Sequence, residues 1–274
     1  MKRKYKAIEE VSKYDVVIIS GASSGIGEGF AKFVLDVFER QNKKSVVYNL
    51  SRRQSTLVSS NLRNIECDLT IEESLNSAVK QIKYDIAQQY ADVPKILLIN
   101  NAGFGAYGEF PSPTIERNLK MIDLNVRALT ALSEAFLEEV KKGKGAIVNI
   151  SSTASFQACP HLSVYAATKA YVKSFTIALS QELSKCDCKC LCVCPGPTSS
   201  MFFKSAGFDS APLPSGFGHK PIDVVLQTFY TLYRNKKITI VGKLNTLQAI
   251  LVSIIPEFML VRISDMVLKK IRSK

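Results

Sequence analysis

The stretch "VVIISGASSGIGEGF", residues 16–30, joins a short apolar run to a glycine-rich turn. Residues 16–20 are apolar and rich in β-branched side chains, as expected of a strand buried on both faces of a parallel sheet. Gly21 lets the chain turn sharply, while Gly25 and Gly27 let the start of the following helix approach a pyrophosphate, which free N–H groups can bind. The residues of this turn that are predicted to contact the pyrophosphate-containing ligand are Gly21, Ser23, Ser24, Gly25, Ile26 and Gly27.

Six further short apolar runs follow along the chain. They cover residues 45–50, 64–69, 95–100, 145–151, 188–194 and 237–242. Amphipathic segments that predict helices lie between the runs, at 26–40, 71–90, 114–141, 162–185 and 219–235. Strands alternating with helices predict an α/β fold, a single-domain Rossmann fold whose doubly wound seven-stranded parallel sheet has helices on both faces. Ligands of such a sheet bind at the carboxyl ends of the strands.

The second run ends in "NLSRRQ", residues 49–54. A site specific for NAD usually has an acidic residue at this point, which accepts a hydrogen bond from the ribose 2′-OH. Here Ser51 takes that place, and Arg52 and Arg53 follow. A hydroxyl and a guanidinium suit a 2′-phosphate, so the sequence favours NADP(H) over NAD(H) as the cofactor. The alternative is that the arginines are only part of a solvated turn.

The composition and charge limit the classes of protein to which the chain can belong. The 274 residues include 46% apolar residues, enough for the core of one large domain. We expect neither a membrane-spanning helix nor a signal peptide, and hence a cytoplasmic location. The net charge of +12 could attract nucleic acid or the inner surface of a membrane. Because basic and aromatic residues do not interleave, we expect no nucleic-acid partner.

Five of the seven cysteines alternate in "CDCKCLCVC", residues 186–194. In a strand this spacing puts the five side chains on one face, where cysteine serves as a small buried apolar residue. A thiolate metal site would require the strand to bend, and no histidine is near. We therefore expect no metal.

"YAATK", residues 165–169, places Tyr165 four positions before Lys169. On a helix the two side chains share one face. A fixed ammonium there favours the phenolate, which makes tyrosine a usable proton donor near neutral pH. The alternative is a surface helix that carries both residues by chance.

Seven short motifs together resemble the short-chain dehydrogenase/reductase family, over roughly residues 14–242. They begin at residues 21, 67, 100, 124, 150, 165 and 195 and read "GASSGIG", "CDLT", "NNAG", "LNV", "ISS", "YAATK" and "PGPT". The resemblance implies the strand order 3-2-1-4-5-6-7 and hydride transfer between a nicotinamide cofactor and a ketone or alcohol. It also implies a homodimer or homotetramer built on the helices that carry Asn125 and Tyr165.

The resemblance assigns a role to each matching residue. Tyr165 protonates the carbonyl oxygen, and Lys169 stabilises the phenolate and bonds the nicotinamide ribose. Ser152, with Ser151 as the fallback, donates to the carbonyl oxygen. Asn125 and a water connect Lys169 to solvent. Implied cofactor contacts, besides Tyr165 and Lys169, are Asp68, Leu69, Asn101, Ala102, Gly103, Pro195, Gly196, Thr198 and Ser200.

Residues 197–220 lie where this family has its substrate lid. The lid segment contains Phe202, Phe203, Phe208 and Phe217, which indicate an apolar ketone or acyl substrate. One alternative is a β-ketoacyl thioester or lipid ketone reductase, and another is a non-catalytic dinucleotide-binding regulator.

Three aromatic residues either line the substrate mouth or anchor a loop, and two histidines are expected at the surface or at helix starts. They are Phe104, Tyr107 and Phe110, and His161 and His219.

The two ends of the chain are predicted to extend beyond the domain of residues 14–242, which would bind the dinucleotide and catalyse the reaction. Residues 1–13 form a basic N-terminal extension, and residues 243–274 an amphipathic helical one, interrupted at Pro256. Three fates are open for the C-terminal helices. They pack on the body, cover a neighbouring subunit, or lie on an anionic membrane with help from the terminal lysines.

Overall fold

Parallel β-strands form the centre of the protein in a computed structural model that describes residues 2–42, 44–111, 113–198 and 218–272, with side chains to residue 266. Within this part of the chain, seven strands make one sheet of order β3-β2-β1-β4-β5-β6-β7, and all neighbours are parallel. The predicted fold and strand order are confirmed. The strands are β1 Val16–Ser20, β2 Val46–Ser51, β3 Leu62–Glu66, β4 Ile96–Asn100, β5 Ala146–Ile150, β6 Lys189–Cys194 and β7 Ile238–Ile240.

Helices cover both faces of the sheet. They are α1 Lys2–Val11, α2 Gly25–Arg40, α3 Glu72–Gln89, α4 Ile115–Ile122, α5 Leu129–Ala135, α6 Leu137–Lys142, α7 Ser163–Leu183, α8 Pro221–Tyr233, α9 Lys243–Val252 and α10 Glu257–Arg272. A π-helical turn, Asp123–Ala128, joins α4 to α5, and two 3₁₀ turns lie at Thr153–Phe156 and Ser184–Cys186.

Alternate side chains of each central strand enter two separate cores. On β1, Val17 and Ile19 pack on the side of α1, α2 and α8, while Val16 and Ile18 pack on the side of α3, α6 and α7. Apolar runs without alternation in the sequence therefore follow from a sheet that is buried on both faces.

Two predicted elements differ most from the structure. β3 begins at Leu62 and ends at Glu66, so that residues 67–69 follow the strand instead of belonging to it. The predicted single helix at 114–141 is divided by the π-helical turn and by a second break at Phe136. At the π turn, the side chain of Asn125 bonds both backbone groups of Phe104, a tertiary contact that widens the helix.

The basic N-terminal segment forms helix α1, which packs against α8. Its Glu10 is fully buried and accepts hydrogen bonds from Lys189 at 2.6 Å, Lys13 at 2.8 Å and Tyr14 at 2.9 Å. Burial raises the pKa of Glu10, but the bonds from Lys13 and Lys189 outweigh it and the pKa is lowered. The network connects α1 to β6, whereas the domain limits at residues 13 and 243 stay predictions.

A row of amides lies inside the sheet below the open edge. Asn100 Nδ2 on β4 donates to Asn149 Oδ1 on β5 and to Ser133 Oγ, each at 2.9 Å. Asn149 Nδ2 in turn donates to Thr176 Oγ1 on α7 at 3.0 Å. The row therefore fixes α7 against two central strands.

Within the part of the chain that the structure describes, no helix has both the length and the apolar character needed to cross a membrane.

Candidate active site

The glycine-rich turn after β1 has the geometry of a phosphate cradle. Gly21 and Gly25 have φ of +74° and +62°, in the left-handed region that favours glycine. At Gly27 a Cβ would lie 2.1 Å from Gly21 O, so only glycine allows the helix to approach the turn this closely. Ser23 and Ser24 are half-buried, and the side chain of Ser24 does not cap α2. The first-turn N–H groups and the helix dipole are therefore suited to an anion.

The "NNAG" turn after β4 supports this cradle. Ser20 Oγ, at the end of β1, accepts hydrogen bonds from the backbone N–H groups of Asn101 and Ala102, each at 3.0 Å. Asn101 Nδ2 donates to Ser20 O at 3.0 Å and to Gly21 O at 3.1 Å. Sequence reasoning missed Ser20, which lies 81 positions from its partner Asn101.

The end of β2 holds the predicted 2′-phosphate residues. Ser51 Oγ lies 2.8 Å from both Asn49 Oδ1 and Arg53 O, which folds the turn over itself. Arg52 and Arg53 are exposed. A cleft of about 530 Å³ opens beside them, and its lining residues are Arg52, Glu66, Cys67, Asp68 and Ser74.

Asp68 lies in this cleft as an anion. Burial raises the pKa of Asp68, but hydrogen bonds from Thr70 and the charge of Arg52 outweigh it, so the pKa is lowered. The bonds to Thr70 N and Oγ1 measure 2.9 and 2.7 Å. Leu69 is buried in the core together with Leu75 of α3, and its side chain does not line the cleft. These positions agree with an adenosine-binding cleft between β2 and β3.

Tyr165 and Lys169 lie together at the opposite end of the site, on the first turns of α7. Both are buried, with 8% and 5% of their surfaces exposed. Lys169 Nζ lies 5.8 Å from the centroid of the Tyr165 ring and donates to Ile150 O, at the end of β5, at 2.9 Å. The ring of Tyr165 packs near Met121, with Phe104 at the edge of the cluster.

Burial dominates the titration of both groups. It raises the pKa of Tyr165 to about 12, and a hydrogen bond with Ser152 partly opposes the rise. It lowers the pKa of Lys169 to about 8. The spacing predicted a phenol made more acidic by the ammonium. In the structure the pKa of Tyr165 is instead raised, because the cost of desolvating the phenolate is the larger effect.

The structure distinguishes the two candidate serines. Ser152 Oγ accepts from Ala154 N at 3.1 Å, and it is this hydroxyl that bonds Tyr165. Ser151 is buried, and its hydroxyl donates to Lys169 O at 2.7 Å. Ser151 therefore holds the helix in place, while Ser152 lies beside the phenol.

Asn125 is fixed in the π-helical turn behind Lys169. It accepts from Phe104 N at 3.1 Å and donates to Phe104 O and Thr168 Oγ1, each at 3.0 Å. A Cβ at Gly103 would lie 2.8 Å from Asn125 Oδ1 and 3.3 Å from Lys169 Nζ. The backbone at Gly103 therefore lies next to both the Asn125 amide and the Lys169 ammonium.

The "PGPT" loop after β6 closes the same side. Pro195 O accepts from Thr153 N at 2.9 Å, and the buried Thr198 donates to Gly196 O at 3.0 Å. A Cβ at Gly196 would lie 2.2 Å from Asn245 Nδ2 on α9, a neighbour that sequence reasoning missed. Ser200 and the four phenylalanines of the predicted lid lie outside the described residues.

Helix α10 contacts the loop between Ser152 and Tyr165 through two pairs, which we call the α10 clamp. Gln157 Nε2 donates to Ser264 Oγ at 3.0 Å, and His161 Nε2 lies 2.9 Å from Asp265 Oδ1. The ring of His161 also stacks on Tyr107, with centroids 5.6 Å apart. His161 does precede a helix, as predicted, but it is a loop anchor with little exposed surface.

The three aromatic residues after "NNAG" divide between the two predicted roles. Tyr107 anchors the loop through His161, and Phe104 packs beside Tyr165. Phe110 is exposed and lines an apolar cleft of about 460 Å³ on the outer side of α4 and α7. Of the two histidines, His219 precedes α8 and lies 3.2 Å from Asn245 Nδ2.

Comparisons with known proteins point in one direction. Residues 15–209 match the family model described as short chain dehydrogenase. A probable short-chain type dehydrogenase/reductase, VdlC of Helicobacter pylori, is 31% identical over 70% of this chain and 68% of its own length. A 3-ketodihydrosphingosine reductase of Bacteroides thetaiotaomicron is 30% identical over 68% of this chain and 65% of its own length.

Solved structures share the fold. A short-chain dehydrogenase from Sphingobium yanoikuyae in complex with NADPH superposes with a TM-score of 0.68 at 27% identity. The alignment covers 88% of this chain and 96% of the other.

Proposed function

The chain belongs to the short-chain dehydrogenase/reductase family, and on that premise we propose that it is an NADP(H)-dependent oxidoreductase acting on a ketone or alcohol. One observation supports the proposal above all. Ser152 is hydrogen-bonded to Tyr165, and Lys169 and Asn125 meet at Gly103, all at the carboxyl ends of β4 and β5. A protein that only senses a dinucleotide would need the glycine turn alone.

The residues present fit a nicotinamide dinucleotide. The Gly27 cradle and the first turn of α2 suit the pyrophosphate, and the cleft beside Arg52 and Asp68 suits the adenosine. Lys169 and the loop at Gly196 would hold the nicotinamide end. When bound, this cofactor supplies or accepts the hydride.

The chain's own groups supply the proton and the electrostatics. With a pKa of about 12, Tyr165 keeps its proton at neutral pH and can give it to a carbonyl oxygen as that oxygen becomes negative. Ser152 donates to the same oxygen and stabilises its growing charge. Lys169 carries a positive charge, which stabilises the resulting phenolate. Asn125 holds the helix and the loop at Gly103 in register.

We propose NADP(H) as the preferred cofactor. The exposed guanidiniums of Arg52 and Arg53, and the absence of an acidic side chain at position 51, support a 2′-phosphate contact. The NADPH complex of the Sphingobium relative is consistent with this preference.

The proposed substrate is an apolar ketone or acyl compound. A specific rival is a β-ketoacyl thioester or lipid ketone, which the similarity to the Bacteroides 3-ketodihydrosphingosine reductase favours. Oxidation of NADPH against a panel of apolar ketones, ketoacyl thioesters and polar sugars distinguishes them. A preference for sugars would refute the apolar pocket.

The decisive experiment replaces Tyr165 by Phe. Loss of the acid should lower the turnover number at least roughly 100-fold and leave NADPH binding intact. Tyr171→Phe, on the exposed side of the same helix, is the matched control and should retain activity. Equal turnover by Tyr165→Phe and wild type would remove the proposed acid. A wild-type protein that binds NADPH and reduces no member of the panel would instead support a regulator.

A homodimer or homotetramer and a cytoplasmic location are proposed along with this activity. The apolar cleft between α4 and α7 supports self-association.

A further inference from the structure

Helices α9 and α10 and the turn between them carry large apolar side chains on their outward side. Phe258, Ile254 and Met266 have 68%, 73% and 64% of their surfaces exposed. We call the exposed set the C-terminal apolar face. Its members are Leu244, Leu247, Ile250, Leu251, Ile254, Phe258, Met259, Ile263 and Met266.

The inward side of the same helices is already packed. Ala249 of α9 and Leu260 and Ser264 of α10 are buried, and the α10 clamp joins α10 to the loop before Tyr165. Because these contacts fix the orientation of both helices, the apolar face points away from the described body. Scattered exposed apolar residues are normal, but nine within 23 consecutive positions form a patch that marks an interaction surface.

Charge decides between the possible occupants of this face. Residues 243–274 contain six basic and two acidic residues, and one of the acidic pair, Asp265, already faces His161. Lys243 and Arg262 are exposed next to apolar members of the face. A second copy of the chain would bring the same positive charge against it, whereas an anionic surface would complement it.

We propose that α9 and α10 lie in the interface of an anionic phospholipid membrane, with the C-terminal apolar face inserted among the acyl chains. An amphipathic helix with an apolar face and basic residues beside it binds in this way, and the basic residues attract anionic headgroups. The proposal does not depend on the enzymatic activity. The helices pack on the body through their inward side, and the proposal assigns their outward side to the membrane, the third of the fates that the sequence left open.

The test is co-sedimentation of the full-length protein with vesicles of phosphatidylcholine, with and without phosphatidylglycerol. The wild type should bind the anionic vesicles and lose binding as salt is added. A triple variant, Leu247→Ser with Ile254→Ser and Phe258→Ser, should bind at least about tenfold more weakly, because each inserted side chain contributes hydrophobic free energy.

The matched control removes equally exposed apolar side chains elsewhere. Val58, Tyr84 and Val93 have 99%, 66% and 58% of their surfaces exposed, and their replacement by Ser should leave binding unchanged. Circular dichroism and thermal unfolding verify that both triple variants fold. Absence of wild-type binding, equal binding to neutral vesicles, or equal binding by the two triple variants would overturn the proposal. A change of the first triple variant from dimer to monomer without any vesicle binding would assign the face to a second copy.

Discussion

Lys169 keeps a positive charge in a buried place. Its ammonium donates to Ile150 O, yet burial lowers its pKa from 10.5 to about 8. At pH values below about 8 the folded state therefore holds a charge that the unfolded chain would carry more favourably, at a cost of roughly 3 kcal/mol. We infer that this cost is retained because the proposed reaction needs the charge.

We predict that Lys169→Met is inactive but more stable than the wild type. Near pH ~7 its free energy of unfolding should rise by about 2 kcal/mol, after loss of the bond to Ile150 O is allowed for. The gain should shrink as the pH rises from about 8 towards 10.5, because folded Lys169 loses its proton there and the penalty disappears. Urea unfolding at both ends of this range measures it. Lys185→Met, on an exposed lysine, should change nothing, and an unstable Lys169→Met would contradict the prediction.

Arg52 is the residue with which the cofactor preference can be tested. It is exposed and contributes to the lowered pKa of Asp68. Arg52→Ser should reduce kcat/KM for NADPH about tenfold, since one charge-assisted hydrogen bond is lost, and should leave that for NADH nearly unchanged. Arg63→Ser on β3 is the control at an exposed arginine. Parallel losses with both cofactors would show that Arg52 does not discriminate.

Single residues divide into those that sequence reasoning reached and those that it missed. Tyr165 and Lys169 are four positions apart, so helical geometry alone places them together. Ser20 bonds Asn101 from 81 positions away, and His161 meets Asp265 across 104 positions, so no local pattern pairs them. The sequence also did not predict that the pKa of Tyr165 is raised, because it shows a neighbouring charge but not the depth of burial.

At the scale of elements, α10 reaches the active site through the α10 clamp. His161 and Gln157 belong to the loop that joins Ser152 to Tyr165, so the position of α10 affects how the two hydroxyls are held. We therefore propose that Asp265 is a positioning residue.

We predict that Asp265→Ala lowers kcat roughly tenfold, since a small misplacement of catalytic groups reduces the rate, while the dissociation constant for NADPH stays unchanged. Asp265→Asn should restore most of the rate, because an amide oxygen can still accept from His161. Steady-state kinetics and cofactor titration measure the two effects. Glu257→Ala, at an exposed residue of the same helix, is the control. Equal weakening of NADPH binding would indicate general damage to the fold.

Elements were predictable where they depend on local pattern. Uninterrupted β-branched runs located the strands, since burial on both faces leaves no polar alternation. The division of residues 114–141 was not predictable, because the π turn at Asn125 depends on the backbone of Phe104, which is brought there by another part of the sheet.

At the scale of the whole molecule, one surface is suited to self-association. Apolar side chains remain exposed along α4 and α7, among them Leu119 at 53%, Ile122 at 41% and Tyr171 at 40%. Together with the cleft lined by Phe110 they form a face suited to a second copy.

We predict that Leu119→Glu with Ile122→Glu shifts the protein from an oligomer to a monomer, because buried like charges would oppose each other across the interface. Light scattering after size-exclusion chromatography measures the mass. Val93→Glu, at a similarly exposed residue on another surface, should leave the mass unchanged. A wild-type monomer would contradict the prediction at once.

The amide row below the site has a chemical consequence of its own. Asn100, Asn149 and Thr176 have no ionisable protons, so their links between β4, β5 and α7 are identical in mild acid and mild alkali. The groups of this row therefore do not titrate over that pH range. In the proposed mechanism Lys169, and not this row, is therefore the group whose charge changes between neutral and alkaline pH, since its pKa is about 8.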